Sequence, residues 1–373
     1  MTTPITKIPF VDLQAQYQAL KPEMDAALAQ VIAETAFIRG RFVSAFEEEY
    51  AKAYGVKHCI SCADGTSAIY IVLKQLGIGL GDEVITTANS WIASSETVTQ
   101  TGARVVFVDV EEDFYNLDAN KIEASITPRT KAIIAVHLLG QPAQIDKLKA
   151  ICDAHKIHLI EDCAQAHFAE LNGQRVGTFG IAATFSFYPG KNLGAYGDAG
   201  AIVTNDDALA DKCRSFARHG ASLKDKHDHV MEGINSRMDG LQAAVLSVKL
   251  PHLAEWTRKR NEVAARYNAL LKDAPNVLAL PQVRPNATHV YHVYCVRVKD
   301  RDATNARLNA AGIGTSLHYP IPLPFLKAYR YLEHEPADFP LAWRNHTEIL
   351  SLPIYPEMTE AQQQRVAEVL TGG

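Results

Sequence analysis

Three polar groups stand in this sequence among short apolar runs, where a merely solvated side chain would be out of place. Lys191 is the only cation of SFYPGKNLGAYGDAGAIV (residues 186–203), with small residues, glycines and apolar runs on either side. An amine forced into a partly desolvated pocket loses proton affinity and becomes a usable nucleophile or Schiff-base former. Ser186 precedes it by five residues, and Gly190, Gly194 and Gly197 allow a ligand close backbone approach. Asp162 ends the apolar run HLIED, where a carboxylate is costly unless a cation or strong donor meets it. An N-cap on a following helix is the plainer explanation. Gln165 and His167 follow within one turn and would line the same crevice. The third feature is ADGTS (63–67), after a strand-like run and before a helix. Its backbone N–H groups and the hydroxyls of Thr66 and Ser67 suit a phosphate, although a helix cap explains the same letters.

A phosphate cradle, an acid at a strand end and then a lysine form the set of parts that pyridoxal 5′-phosphate requires. That cofactor needs an amine for its aldehyde, an acid for its pyridine nitrogen, an aromatic face and donors for its phosphate. Trp91, among polar neighbours in TTANSWIASSET, can supply the face.

The elements that must position these groups are legible as an alternation. HCISCA (58–63), DEVITTA (82–88), RVVFVDV (104–110), KAIIAVHLL (131–139) and HLIEDCA (158–164) read as β-branched strands. Between them DGTSAIYIVLKQLGI, IASSETVTQTG, NLDANKIEASI and QIDKLKAICDAHK read as helices, the first starting at Thr66 or Ser67. AATFSFY and GAIVTND add two shorter strands. Such alternation predicts an α/β fold, a mostly parallel sheet covered on both faces, with ligands at the carboxyl ends of its strands. Beyond residue 235 a long helix interrupted at Pro251 leads to HVYHVYCVRV (289–298), a strand, and ATNARLNAAGI, a helix. We expect a large domain over 1–250 and a smaller α+β domain over 251–373, with the N-terminal segment packed on the latter.

Composition narrows the class. With 373 residues, 47% hydrophobic and 21% charged, the balance is that of an ordinary globular protein. A net charge of −5 argues against nucleic acid as a partner. No run approaches the roughly 20 apolar residues of a membrane span, and MTTPITKIPFVDLQAQY has no leader-like apolar stretch, so a cytoplasmic location is expected. Six cysteines (59, 62, 152, 163, 213 and 295) lie mostly in apolar runs, as buried reduced thiols do. Cys59 and Cys62 have no second pair at zinc spacing, and no metal site is expected.

The ordered blocks PFVDLQAQY, FIRGRFVSAFEEEYA, ITPRTKAIIAVHLLGQ, IEDCAQAH, SFYPGKNLGAYGDAGAIVTND, GINSRMDGLQAAVL and HVYHVYCVR run nearly end to end. With them the chain resembles the fold-type-I, aspartate-aminotransferase-like enzymes, and among them the DegT/DnrJ/EryC1/StrS nucleotide-sugar aminotransferases. The resemblance implies that Lys191 binds the cofactor aldehyde, Asp162 pairs with the pyridinium nitrogen, Gln165 approaches the 3′-oxygen and Trp91 stacks on the ring. It assigns Gly65, Thr66 and Ser186 to the phosphate, and Asn235 to the phosphate of a neighbouring subunit, hence a homodimer with composite sites. His167, Tyr188 and His318 are implied sugar-pocket residues. Glutamate would leave as 2-oxoglutarate, with pyridoxamine 5′-phosphate between the two half-reactions.

Members acting at C4 commonly carry a TTGEGG-like stretch where this chain has KNLGAYGDAG, which points to C3 of a dTDP-3-keto-6-deoxyhexose. UDP-3-keto sugars, C4 keto sugars and cyclitol ketones are the alternatives, and a cofactor-binding regulator is a further one. Family dehydratases carry histidine in place of the lysine, which this chain keeps. It departs from the pattern at Phe168, usually glycine, and Leu139, often aromatic. Asp64 is an acid beside the presumed cradle, and the His- and Lys-rich loop 223–233 is a candidate nucleotide contact.

Overall fold

The computed structural model describes residues 7–372, so the first six residues of the stretch in which no leader was expected lie outside it. Helices α1 (Leu13–Ala33) and α2 (Arg41–Tyr54) precede an alternation of strands and helices. It runs β1 (His58–Cys62), α3 (Gly65–Gln75), β2 (Glu83–Thr87), α4 (Ala93–Gln100), β3 (Arg104–Val108), β4 (Thr130–Val136), α5 (Ile145–His155) and β5 (His158–Asp162). Two short strands follow, β6 (Glu170–Leu171) and β7 (Gln174–Arg175), which a third strand from later in the chain joins into a small sheet, then β8 (Ala182–Ser186), β9 (Gly200–Thr204) and α6 (Asp207–Phe216). Seven strands form one sheet in the order β1-β9-β8-β5-β4-β2-β3. Only β9 runs against its neighbours, so the sheet is mostly parallel, and β2, β4, β5 and β8 are almost entirely buried, as strands covered on both faces are.

One expected helix is absent. NLDANKIEASI forms two short 3-10 turns, Ala119–Lys121 and Glu123–Ser125. Asn116, fully buried, accepts the N–H of Leu138 and donates to the carbonyls of Gln141 and Pro142. The segment is thereby tied across the end of β4 rather than coiled.

Helix α7 (Gly240–Lys249), a 3-10 turn at Leu250–His252 and α8 (Leu253–Leu271) realise the long helix broken at Pro251. Beyond come β10 (Val277–Ala279), β11 (Ala287–Thr288), β12 (Tyr294–Val298), α9 (Arg301–Ala310), α10 (Pro340–Glu348), β13 (Ile349–Leu352) and α11 (Glu360–Thr371). Strands β10-β12-β13 make a second, antiparallel sheet, packed with α8, α9 and α11 around Tyr267, Val296, Leu308 and Val366. We propose the turn at 250–252 as the boundary between a large and a small unit. Three segments cross it, one of them the stretch from β11 to Val293, which pairs with β6 and packs in the large core. Ile8 bridges Ile313 and sits in the small core, whereas Leu323, Tyr329, Phe339 and Ala342 return to the large one.

The expected strand 289–298 is confined to its second half. Val290 donates to the carbonyl of Gly140, and Val293 to that of Leu139. Residues 289–293 are therefore a strap laid over the large sheet, and the ladder begins only at Tyr294.

Candidate active site

Register brings the site together. Gly200 faces Cys62 on one side and Ser186 on the other, so the turn 63–67 and the loop after β8 meet across a residue without a side chain. A Cβ at Gly200 would lie 2.3 Å from the carbonyl carbon of Asp64, and one at Gly65 2.7 Å from Cβ of Ser186. Both contacts are far inside van der Waals distance, so these positions require glycine.

At this end of the sheet lies a cavity of about 450 Å³, lined among others by Gly65, Thr66, Trp91, Asp162, Gln165, Ser186, Tyr188 and Lys191. Lys191 follows Ser186 through a tight loop closed by its N–H on the carbonyl of Tyr188, 2.8 Å. Burial strips water from its amine and brings the pKa down from 10.5 to about 8, the nearby Asp162 opposing part of that drop. The order of parts thus produces the activated amine that the residue's neighbours implied.

Asp162 is the last residue of β5 and caps no helix. Its Oδ1 accepts the N–H of Ala164 at 3.1 Å, and its Oδ2 accepts the Ser94 hydroxyl at 2.8 Å. Gln165 accepts the N–H of Leu139 at 2.6 Å and donates to the Tyr319 hydroxyl at 2.8 Å. Trp91, 60% exposed, stands at the mouth with its ring 5.8 Å from Tyr319. Asp64 proves to be the N-cap of α3. Its carboxylate accepts the N–H and the hydroxyl of Ser67, at 2.7 and 3.0 Å. Ser67 is thus engaged, and Thr66 is the hydroxyl of that turn left facing the cavity.

His167 requires a correction. It does not face the cavity but lies fully buried behind it, its ring 5.4 Å from those of Phe185 and Phe187. Its ring nitrogens meet the Tyr50 hydroxyl and the Ser186 carbonyl, each at 3.0 Å. Burial lowers its pKa to about 3, so the ring is neutral and supports the loop that carries Ser186. Phe168, one residue on, packs on Tyr54 and beneath the Arg175 guanidinium, away from the cavity. Tyr188 is exposed at the cavity wall rather than in the core. His318 bonds the Ser351 hydroxyl through Nδ1 at 2.9 Å, and burial lowers its pKa to about 4. Asn235 is exposed, in a bridge with Arg218, and is not part of the cavity wall.

The sequence reading missed Ser90, Ser94, Asp198 and Tyr319. Of these, Ser94 carried a signal, a hydroxyl three residues after Trp91 on the helix that Trp91 leads into.

All six cysteines are free and buried. Among the described residues, His137, Glu161 and Cys163 lie close enough together to hold a metal ion. Protein donors already close that cluster, since Glu161 accepts from His137 and from the N–H groups of Gly177, Phe179 and Gly180. His137 Nδ1 accepts the N–H of Ala143.

The family model for DegT/DnrJ/EryC1/StrS aminotransferases matches residues 18–371. The chain belongs to this family. Among its relatives, a protein named pleiotropic regulatory protein from Geobacillus stearothermophilus is 45% identical, over 97% of both chains. The dTDP-3-amino-3,4,6-trideoxy-alpha-D-glucose transaminase of Streptomyces venezuelae is 40% identical over 98% of this chain and 95% of its own. The UDP-2-acetamido-2-deoxy-3-oxo-D-glucuronate aminotransferase of Pseudomonas aeruginosa is 42% identical over 98% and 99%. DesV of S. venezuelae, solved with a ketimine intermediate, superposes with a TM-score of 0.95 at 40% identity, covering 99% of this chain and 98% of its own. NtdA of Bacillus subtilis, solved with bound pyridoxamine phosphate, superposes at 0.90 with 32% identity over 99% and 85%.

The family is one of aminotransferases that depend on pyridoxal phosphate, and a solved relative holds pyridoxamine phosphate; this chain fits that cofactor on its own chemistry. The desolvated amine of Lys191, the carboxylate of Asp162, the hydroxyls of Thr66 and Ser186 and the free N–H groups opening α3 surround one cavity. Gly65 and Gly200 keep that cradle clear of side-chain carbon.

Proposed function

We propose that the protein moves the amino group of L-glutamate to C3 of a dTDP-linked 3-keto-6-deoxyhexose, releasing 2-oxoglutarate. The reading is carried by the convergence of Lys191, Asp162 and the 63–67 turn on one cavity, in a chain similar nearly end to end to sugar 3-transaminases. Bound pyridoxal phosphate supplies an electron sink beside the reacting carbon. Asp162 presents a fixed negative charge to the ring nitrogen. Gly65, Thr66, Ser186 and the first turn of α3 would hold the phosphate, Trp91 would cover the ring face, and Gln165 would meet the 3′-oxygen. Lys191, with its pKa at about 8, both accepts and returns a proton near neutral pH. Its Nζ takes the proton from the α-carbon of glutamate and later delivers one to C3 of the sugar. Tyr188 would shape the sugar end directly, and His318, off the cavity wall, would act on it through the neighbouring ring of Tyr319.

We place Asn235 in the phosphate site of a second copy, which makes the working unit a homodimer with two composite sites. Its setting is the cytoplasm, where no membrane-crossing helix is needed, and its products are amino sugars for lipopolysaccharide O-antigen or related glycans. A UDP-linked 3-oxo sugar is the second reading, supported by the similarity to the Pseudomonas enzyme. The name of the Geobacillus relative supports a regulatory one.

The test is absorption of the purified holoprotein with glutamate, then with a panel of dTDP- and UDP-linked 3- and 4-keto sugars. Glutamate should bleach the yellow band, and a dTDP-3-keto sugar should restore it with formation of the 3-amino sugar. Preference for a UDP acceptor selects the second reading. Bound cofactor without any turnover selects the regulatory one.

A further inference from the structure

The turn that carries Trp91 also carries two serines, and both are spent on one task. Ser90 and Ser94 are buried, their hydroxyl oxygens lie 2.9 Å apart, and the Ser94 hydroxyl lies 2.8 Å from Oδ2 of Asp162. Helix α4 begins at Ala93, and the N–H of Ser94 closes the turn on the carbonyl of Trp91 at 3.2 Å. A carboxylate only accepts, so the Ser94 proton points at Asp162 and the Ser90 proton points at Ser94. The hydrogen bonds run one way, Ser90 to Ser94 to Asp162, and each polarises the next. On the other oxygen the N–H of Ala164 fixes the carboxylate plane.

We propose that Ser94, with Ser90 behind it, is the positioning residue for Asp162. Its hydroxyl fixes the rotamer of that carboxylate through the hydrogen bond to Oδ2. The inference rests on the reading in which Asp162 faces the cofactor's ring nitrogen. Ser94 and Trp91 stand on one turn, so the ring's covering face and the anion's support are set by the same few residues. The relay spares the site a second charge. A further cation held against Asp162, in addition to Lys191, would compete with the ring nitrogen for that carboxylate, whereas a neutral hydroxyl does not.

The test uses the holoenzyme with Ser94→Ala, Ser94→Thr, Ser90→Ala and Asp162→Asn. Visible absorption of the bound cofactor is titrated against pH, and the half-reaction with glutamate is followed for kcat and KM. Loss of a charge-assisted hydrogen bond predicts that Ser94→Ala lowers kcat about 10- to 100-fold, with KM nearly unchanged and a displaced pH midpoint of the visible band. Ser94→Thr keeps a hydroxyl and should restore most of both signals, and Ser90→Ala should move both in the same direction by less. If Ser94→Ala leaves spectrum and kcat intact while Asp162→Asn changes them, the relay is wrong and the role of Asp162 stands. If Asp162→Asn also changes neither, the reading beneath the relay falls as well. If Ser94→Thr is as impaired as Ser94→Ala, the hydroxyl is not the operative group and the proposal is overturned.

Discussion

Replacing Lys191 by methionine should stabilise the cofactor-free protein while removing its chemistry. Burial holds the amine at a pKa of about 8 against 10.5 in water. Each tenfold of proton affinity is worth about 1.4 kcal/mol, so bringing charged Lys191 into the fold at pH 7 costs on the order of 3 kcal/mol. Methionine has a similar length and no charge, and it removes that cost. The sign follows from linkage. A lysine with a depressed folded pKa penalises the fold fully below about pH 8, and the penalty fades as pH rises from there toward 10.5. The advantage of Lys191→Met should therefore be on the order of 3 kcal/mol at pH 7 and about 1 kcal/mol at pH 10. For a chain of this size that amounts to a Tm rise of about 4 °C at pH 7. Thermal or denaturant melts of cofactor-free wild type and variant, at several pH values, give the measurement. A variant no more stable than wild type at pH 7, or an advantage unchanged between pH 7 and 10, would refute the claim that this lysine is held against its solvation.

Lys191→Ala should abolish turnover with glutamate, and steady-state assay of the folded variant checks it. Gly65→Ala places a methyl 2.7 Å from Cβ of Ser186; overpacking of this kind costs about 1–3 kcal/mol, read as weaker cofactor binding in equilibrium titration. Asp64→Ala removes the cap of α3 and should lower stability by about 1 kcal/mol, measured by denaturant unfolding. Burial puts His167 and His289 at about pKa 3 and His318 at about 4. Depressed histidines contribute stability above pH 6.5 and lose it as pH falls toward those values. Melts should thus be flat between pH 7 and 8 and drop steeply below 6, and the drop should be shallower in His167→Gln.

The strands around the site were legible because each is a β-branched run ending at a polar or glycine-rich turn. The same runs put Asp162 and Ser186 at strand ends, so their convergence with Lys191 could be read before the fold was seen. Direction was not legible. Nothing in GAIVTND marks β9 as the one strand that opposes its neighbours, yet that reversal sets Gly200 between Cys62 and Ser186. His167 was misplaced because spacing gives the turn but not the face, and three aromatic neighbours took it inward. HVYHVYCVRV alternates throughout, but alternation cannot tell a ladder from a strap whose N–H groups find partners on another unit.

The stretch from Leu323 to Ala342 bears on how this enzyme can be rebuilt. Its backbone is fastened to the large unit, Leu323 to the carbonyl of Ala88, and Leu341 and Ala342 to the carboxylate of Asp109. A cut at residue 250 therefore separates sequence but not packing. Exchanging everything after it with a relative would import a foreign piece of the large core together with Tyr319 of the cavity wall. A chimera that leaves the large core intact exchanges only α8–β10, β12–α9 and β13–α11, with 284–293 and 318–348 retained by the parent. Recombination in this lineage meets the same constraint, so acceptor preference should travel with short loop changes more readily than with whole C-terminal halves.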